Sequence, residues 1–305
     1  MAKRNIISVL DMKDDMPELV DLAIKLKAER GHHGDPLKGK TLAMIFEKPS
    51  TRTRISFDVA ISELGGHPLY IESTKMQMGH GETVEDTAHV MSRFVHGIMY
   101  RAFDYKVMDR LGDNASIPVI SGLDDLEHPC QALADMVTIK EKKGGFRGRK
   151  LVYLGDGNNV CNSLLYACAI MGMDMVACCP ATRMPNAEIM LNASRIADAN
   201  GSKIIASHEP KDACKDADVL YTDTWISMGD NTSLEEAVRI FHDYQINKEL
   251  LSIAKPDCIV MHCLPAHREQ EITGEVMDGP QSVVFDEAEN RLHAQKAVLY
   301  TLLKD

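Results

Sequence analysis

Apolar runs of strand length alternate with stretches of helical apolar spacing along most of the chain. Thr41–Phe46 is such a run, and after it Ile55, Val59, Ile61 and Leu64 recur at roughly helical spacing. The alternation returns several times in each half of the sequence. Strands that alternate with helices are typical of parallel sheets covered on both faces. The pattern therefore predicts an α/β fold.

A charged, glycine-rich stretch at Lys140–Arg149 interrupts this alternation, which restarts at the strand Lys150–Leu154. We place a domain boundary there and predict two α/β domains, residues 1–143 and 150–286, each a parallel sheet flanked by helices. In open parallel sheets, ligands bind beyond the carboxyl ends of the strands. We therefore expect the active site in the cleft between the domains, lined by residues that follow the strands.

Composition narrows the range of partners. The 305 residues carry 34 Lys and Arg against 45 Asp and Glu, and the net charge of −11 argues against nucleic acid or an anionic membrane as the main partner. No apolar run approaches the roughly 18 residues of a membrane-spanning helix, and no signal-like segment follows the N-terminal residues. We therefore expect a cytoplasmic protein. The eight cysteines include no C-x-x-C pair, so neither a zinc ribbon nor a thioredoxin motif is encoded.

The densest group of anion-binding side chains follows the first of these strands, at Ser50–Arg54. Pro49 blocks continuation of the strand, and Ser50 or Thr51 can cap the helix that follows. The first N–H groups of a helix have no internal partner and lie at the positive end of its dipole. With two hydroxyl-bearing threonines and two arginines added, the turn predicts a phosphate site. The alternative is a capped surface helix with exposed arginines.

Polar residues at other strand ends of the first half fit the same chemistry. Arg101 ends an apolar strand, and its guanidinium can donate to a phosphate or to a developing oxyanion. His128 precedes a helix that has Pro129 at its first position. The imidazole can donate to a carbonyl oxygen, and Gln131 can pair with an amide. A surface arginine and a capping histidine are the alternatives.

In the second half, Gly155-Asp-Gly157 resembles a dinucleotide-binding turn, but Val160 stands where the third glycine of the fingerprint belongs. This departure disfavours a nicotinamide cofactor. Asn158 and Asn159 lie where a helix begins, and their amides can cap that helix or bind a carboxylate.

Two further strand ends carry an acid and a thiol. Asp223 follows an apolar strand and suits an ammonium group, Gly229 can hinge a closing loop, and Cys263 ends the strand that begins at Ile259. No spacing of carboxylates, His or Cys suggests a metal, and no Ser-His-Asp arrangement follows from spacing. Such groups suit transfer by positioning and electrostatic stabilisation rather than through a covalent intermediate.

Four motifs together resemble the signatures of the ornithine carbamoyltransferases, within the aspartate/ornithine carbamoyltransferase superfamily. They are Ser50–Arg54, His128–Gln131, Asp223–Gly229 and His262–Pro265. The resemblance runs from about Leu10 to the C-terminus in matching order and spacing. It implies the reaction of carbamoyl phosphate with L-ornithine to give L-citrulline and phosphate, with no cofactor or metal.

The resemblance also implies a role for each domain and for particular residues. Residues 1–143 would bind carbamoyl phosphate, with a terminal helix at about 287–305 packing back on them. The carbamoyl phosphate residues would be Ser50, Thr51, Arg52, Thr53, Gln77, Arg101, His128, Gln131, Cys263, Leu264 and Arg291. Of these, Arg101, His128 and Cys263 would be catalytic. Gln77 would come from a neighbouring subunit, so a homotrimer or a multiple of trimers is implied.

Residues 150–286 would bind ornithine. Asn159 would hold its carboxylate, Asp223 with Ser227 its α-amino group, and Met228 would lie on the closing loop. The δ-amine would then point at the carbamoyl carbon beside Cys263. The general base is left open, and the phosphate itself is one candidate.

Several alternatives stay open from the residues alone. A sister family that acts on aspartate shares the Ser-Thr-Arg-Thr turn, but an acidic substrate asks for basic groups where this chain has Asp223. Relatives that use putrescine or modified ornithines differ around the Ser-Met-Gly loop, which is intact here. A nucleotide-dependent oxidoreductase and a non-catalytic anion-binding regulator are the other classes. Whether the reaction serves arginine biosynthesis or the catabolic arginine deiminase pathway is not decided.

Overall fold

The computed structural model describes residues 3–227 and 230–304, without the side chains of residues 79 and 80. The chain divides into two compact units, residues 1–137 with 289–305 and residues 138–288. Each unit contains one parallel sheet with helices packed against it, which confirms the predicted α/β fold. Within the described ranges, no helix combines the length and the apolar character that crossing a membrane requires.

The first unit is built on a four-stranded sheet with the order β2-β1-β3-β4. Its strands are β1 Thr41–Phe46, β2 His67–Glu72, β3 Gly97–Arg101 and β4 Val119–Leu123. Its helices are α1 Met16–Ala28, α2 Thr51–Glu63, α3 Val84–Phe94, α4 Tyr105–Asn114, the first part of α5 Pro129–Lys143 and most of the last helix of the chain, with short 3-10 helices at Val9–Met12, Ser73–Lys75 and Gln77–His80.

The central strands β1 and β3 explain where the unit's polar groups lie. All of β3 and nearly all of β1 are buried, as expected for strands covered on both faces. Their parallel register pairs Phe46 with Arg101, the last residue of each strand. The turn that follows β1 therefore starts beside Arg101.

The second unit contains a five-stranded sheet with the order β7-β6-β5-β8-β9. Its strands are β5 Lys150–Leu154, β6 Asp174–Cys178, β7 Ile204–Ser207, β8 Val219–Thr222 and β9 Ile259–His262. Its helices are α6 Asn159–Met171, α7 Ala187–Asn200, α8 Pro210–Cys214, α9 Leu234–Phe241, α10 Lys248–Ile253, α11 Gly274–Met277 and the start of α12 Val284–Leu303, with a 3-10 helix at His242–Tyr244.

Register across the second sheet aligns three loops. Leu154 pairs with Thr222, and Thr222 pairs with His262, so β5, β8 and β9 end side by side. The segments that follow these strands begin at residues 155, 223 and 263 and leave the sheet at one edge. This alignment brings Asp223 and Cys263 close together.

Several elements differ from the sequence-based expectation, including two in the first unit. The apolar run Ile117-Pro-Val-Ile-Ser121 predicts the fourth strand, but the strand runs over Val119–Leu123, because pairing with β3 continues through an irregularity until Arg101 meets Leu123. Helix α4 was not expected, although Asp104 caps it and Met108 and Leu111 form its buried stripe.

Candidate functional site

The turn after β1 begins helix α2, as the sequence predicted. Ser50 is its N-cap, and the Ser50 hydroxyl accepts a hydrogen bond from the backbone N–H of Thr53 at 3.3 Å. Thr51 is the exposed first residue of the helix, whereas the Thr53 side chain is fully buried. Of the two candidate caps, the structure therefore has Ser50 in that role, and the helix presents its positive end at this turn.

Two guanidinium groups meet at the Thr53 hydroxyl. Arg291 Nη2 donates to Thr53 Oγ1 at 2.7 Å, and Arg101 Nη1 donates to the same oxygen at 3.4 Å. Both arginines are more than nine-tenths buried. Like charges held this close, away from bulk water, favour an anion between or beside them.

Two further cations belong to the same unit. The Nε atom of Arg52 is buried and has no hydrogen-bond partner among the described residues. Lys48 is 6% exposed, and its Nζ lies 4.4 Å from the centroid of the Phe103 ring. Burial, and then the charge of Arg101, lower the pKa of Lys48. The turn therefore gathers basic groups in a desolvated setting.

His128 and Gln131 are buried at the start of α5. Burial lowers the pKa of His128 well below 6.5, and the charges of Arg291 and Arg101 lower it further. The ring is therefore neutral at physiological pH. Gln131 Nε2 donates to Asp135 Oδ1 at 2.8 Å, which fixes the orientation of the amide.

Gln77 occupies a different setting from the other residues expected to bind carbamoyl phosphate. It is exposed and begins the 3-10 helix Gln77–His80 between β2 and α3. An exposed position suits a side chain that serves a neighbouring copy. The donation itself stays a prediction.

The second unit gathers a carboxylate, an amide and a thiol. Cys263 Sγ donates to Asp223 Oδ1 at 3.0 Å, and Asn158 Nδ2 donates to Asp223 Oδ2 at 2.8 Å. The Ser227 hydroxyl lies 3.5 Å from the same Asn158 nitrogen. Asp223 and Cys263 are each 8% exposed. The cluster is a hydrogen-bonded acid at the edge of the sheet, suited to a cationic group.

Three other residues of the second unit were predicted to bind substrate. Asn159 is the first residue of α6 and is half-buried. Leu264 has a φ of +59°, and its backbone N–H donates to His262 Nδ1 at 2.9 Å. Met228, with Gly229, lies outside the described residues.

The donor atoms of Asp223, His262 and Cys263 lie within 4.8 Å of one another, close enough in principle for a metal ion. Both ring nitrogens of His262 are, however, already hydrogen-bonded. Nδ1 accepts from Leu264, so Nε2 carries the proton and donates to Glu271 Oε1 at 3.0 Å. A cation would have to break one of these bonds, so the set fits a metal poorly.

The glycine turn after β5 has a packing role. A Cβ at Gly157 would lie 2.1 Å from the backbone nitrogen of Pro185, and the Gly157 N–H donates to the Arg183 carbonyl at 2.8 Å. The absence of a side chain at Gly157 thus allows the loop that contains Pro185 to pack against it. Its N–H is committed to that loop, which leaves it unavailable for a pyrophosphate.

Sequence reasoning left two residues out of the expected site. Lys48 opens the phosphate turn, but nothing in the pattern indicated that its stem would be buried. The position of Asn158 predicts a helix cap or a carboxylate ligand, whereas its bond to Asp223 joins residues that are 65 positions apart in sequence. The bond forms because β5 and β8 are neighbours in the sheet, and apolar spacing does not predict the order of strands.

Comparison with known proteins covers nearly all of the chain. A family model described as the carbamoyl-P binding domain of aspartate/ornithine carbamoyltransferase matches residues 4–141. The model for the Asp/Orn binding domain of the same family matches residues 147–302. The chain therefore belongs to the aspartate/ornithine carbamoyltransferase family, a family of carbamoyltransferases.

Individual relatives agree with this membership. The chain is 53% identical over 303 residues to the catabolic ornithine carbamoyltransferase of Thermoplasma volcanium, covering 99% of each chain. It is 53% identical over 300 residues to the ornithine carbamoyltransferase of Methanobrevibacter smithii, covering 98% of this chain and 99% of that one.

Solved structures agree as well. The ornithine carbamoyltransferase from Pyrococcus furiosus superposes with a TM-score of 0.95 at 48% identity, over 99% of this chain and 97% of that one. The anabolic ornithine carbamoyltransferase from Campylobacter jejuni gives a TM-score of 0.92 at 38% identity, over 98% of each chain.

Proposed function

We propose that this carbamoyltransferase moves the carbamoyl group of carbamoyl phosphate to the δ-amine of L-ornithine, which gives L-citrulline and phosphate. The names of the relatives above support this activity. The single observation that carries the choice of acceptor is the Asp223 carboxylate, held by Cys263 and Asn158. A buried carboxylate favours an amino group and repels the second carboxylate of aspartate.

We infer that residues 1–143, with the terminal helix at about 287–305, bind carbamoyl phosphate. The turn Ser50–Thr53 offers hydroxyls and the N-terminal N–H groups of α2, and Arg52 offers a buried Nε atom. Arg101 and Arg291 add two guanidinium groups around Thr53. Together they suit the phosphate, both in the substrate and as the leaving group.

Polarisation of the carbamoyl group is assigned to Arg101, His128 and Gln131. Because its pKa is depressed, His128 is a neutral imidazole that can donate one hydrogen bond to the carbamoyl oxygen without adding another charge. Arg101 can stabilise the negative charge that develops on that oxygen. Cys263 and Leu264 of the second unit are assigned to carbamoyl phosphate as well.

Residues 150–286 are assigned to ornithine. Asp223 with Ser227 would hold the α-amino group, Asn159 the carboxylate, and Met228 would lie on the closing loop. The neutral δ-nitrogen then attacks the carbamoyl carbon, the new C–N bond forms, the C–O bond to phosphate breaks, and the departing phosphate takes up the proton that the nitrogen loses. Positioning and charge stabilisation supply the rate enhancement, and no covalent enzyme intermediate is needed.

We further propose that the protein assembles as a homotrimer or a multiple of trimers, with Gln77 serving a neighbouring copy. Large apolar side chains exposed on the first unit support association, since such side chains mark interfaces. They are Ile55, Leu69, Val90, Phe94 and Phe103.

The test is phosphate release from carbamoyl phosphate with a panel of acceptors: ornithine, lysine, putrescine, N-acetylornithine and aspartate. We expect ornithine to be preferred over putrescine and N-acetylornithine by at least about 100-fold in kcat/KM, because neither of these acceptors offers an α-ammonium group to the buried carboxylate. A preference for aspartate or putrescine would contradict the proposal. Relatives carry both catabolic and anabolic names, so citrulline phosphorolysis should be measured alongside.

A further inference from the structure

The Asn158 side chain hydrogen-bonds both the start of helix α6 and the carboxylate of Asp223. Its Oδ1 accepts from the backbone N–H groups of Val160 at 3.0 Å and Cys161 at 3.2 Å, and so caps the helix. Its Nδ2 donates to Asp223 Oδ2 at 2.8 Å. One amide therefore serves both a helix and a carboxylate.

The orientation of this amide is fixed by its neighbours. Besides the two backbone N–H groups, the Tyr153 hydroxyl lies 3.2 Å from Asn158 Oδ1. Burial, and then the charge of Asp223, raise the pKa of Tyr153 well above 10, so its hydroxyl stays protonated and donates. Three donors face Oδ1. Turning the amide over would point its own N–H groups at them, so Nδ2 has to face Asp223.

The Asp223 carboxylate is in consequence held from both sides, by Asn158 at Oδ2 and by Cys263 at Oδ1. We propose that Asn158 is a positioning residue that fixes the Asp223 carboxylate for the amino group of the acceptor. This inference rests on the proposed function, in which Asp223 binds the α-amino group of ornithine.

Capping alone does not require an amide at this position. Serine and aspartate cap helices about as well as asparagine, because a cap needs only an acceptor. An ionised aspartate has no donor, and a serine hydroxyl takes the place of the amide carbon, one bond short of the Nδ2 atom that reaches Asp223. Asn158→Ser and Asn158→Asp therefore keep the cap and remove the donor, and Asn158→Asp also puts a second negative charge beside Asp223.

A matched control exists in the same unit. Asn186 caps α7 in the same way, accepting from the N–H groups of Glu188 at 2.9 Å and Ile189 at 3.1 Å, and its side chain is exposed. Asn186→Asp makes the same chemical change at a second cap. Asp223→Asn serves as the reference for loss of the acceptor site.

The experiment measures kcat and the KM for ornithine at saturating carbamoyl phosphate, carbamoyl phosphate affinity by calorimetry, and Tm. We expect the ornithine KM to rise about 10-fold in Asn158→Ser and about 100-fold in Asn158→Asp. Carbamoyl phosphate affinity and the Asn186→Asp kinetics should match wild type, as should the Tm of Asn158→Ser, whereas the second carboxylate beside Asp223 should lower the Tm of Asn158→Asp. In Asn158→Asp, the acid limb of kcat/KM for ornithine should move to higher pH, because two adjacent carboxylates hold a proton more tightly.

Wild-type ornithine kinetics and pH profile in both Asn158 variants, with Asp223→Asn impaired, would show that Asn158 is only a helix cap. Should Asn158→Asp fail to fold, Asn158→Ser decides the question by itself. Wild-type ornithine kinetics in Asp223→Asn would instead mean that the acceptor site is assigned wrongly, and this inference would fall with it.

Discussion

The Cys263 thiol donates to one oxygen of the Asp223 carboxylate across 3.0 Å. Cys263 follows β9 and Asp223 follows β8, which are neighbouring strands of one parallel sheet. Because parallel neighbours end at the same edge, residues 40 positions apart in sequence become hydrogen-bond partners. The thiol is therefore placed to orient the acid.

This contact predicts a graded effect of substitution at Cys263. Cys263→Ala removes the donor, and we expect kcat/KM for ornithine to fall at least about 10-fold, since hydrogen bonds to charged groups are worth roughly 1.5–3 kcal/mol. Cys263→Ser keeps a donor and should lose less. Steady-state kinetics with varied ornithine check the order of the three proteins.

The control for this change is Cys258→Ala, at a buried cysteine in the apolar core of the same unit. It should lower thermal stability while leaving kcat/KM for ornithine unchanged. An equal kinetic loss in both variants would mean that Cys263 acts only through packing.

Arg52→Ala should abolish turnover and weaken carbamoyl phosphate binding at least about 100-fold, because it removes the charge-assisted contact proposed for the phosphate. Calorimetric titration with carbamoyl phosphate measures this. Arg54→Ala is the matched control, since it removes the same charge from the same helix, and its guanidinium lies 3.9 Å from the Tyr70 ring centroid. Comparable losses in both variants would point to general charge rather than to a phosphate contact.

Gly157→Ala should destabilise the second unit. The added methyl would lie 2.1 Å from the Pro185 nitrogen and 2.3 Å from the Met184 carbonyl carbon, both backbone atoms that cannot swing away. We expect a loss of about 2 kcal/mol or more in the free energy of unfolding, measured by urea denaturation. Gly145→Ala, where a Cβ meets nothing within 4 Å, should be neutral. Equal stability of the two variants would refute the packing role of Gly157.

Stability should depend on pH through Glu127. Burial raises the pKa of this carboxyl from 4.5 to about 7, although Ser8 and Val9 donate to it. The native state therefore binds its proton more tightly than the unfolded chain. The stabilisation is present below about pH 4.5 and is lost as the pH rises through about 7.

Glu127→Gln should remove this dependence. Its stability relative to wild type should grow between about pH 4.5 and pH 8, by at most about 3 kcal/mol. Urea unfolding across that range measures the difference. Glu18→Gln, at an exposed position of α1, should show no such trend. A difference in unfolding free energy between Glu127→Gln and wild type that stays constant with pH would exclude the raised pKa of Glu127.

Much of the fold could be predicted, because the apolar spacing that marks a strand or a helix lies within that element's own short segment of sequence. Apolar spacing predicts both the buried strand β1 and the helix α2, and a proline and a serine mark the turn between them. Helix α4 carried the same kinds of signal and was overlooked. The bounds of β4 could not be read from the sequence, because the irregular pairing of Arg101 with Leu123 sets them.

The same distinction between local and long-range information applies to the candidate site. Residues that follow strands, such as Arg101, Asp223 and Cys263, could be found from the rule that ligands bind beyond strand ends. Contacts between distant segments could not. The bonds from Arg291 to Thr53 and from Asn158 to Asp223 depend on which elements become neighbours, and periodicity does not carry strand order.

The most direct test of the central claim, that Asp223 binds the α-amino group of the acceptor, compares ornithine with δ-aminovalerate, which lacks only that group. The measurement is the ratio of kcat/KM for the two acceptors in wild type and in Asp223→Asn. Wild type should favour ornithine by at least about 100-fold, because δ-aminovalerate leaves a buried carboxylate unpaired. In Asp223→Asn the ratio should collapse to within about 10-fold. A ratio that the substitution leaves unchanged would contradict the assignment.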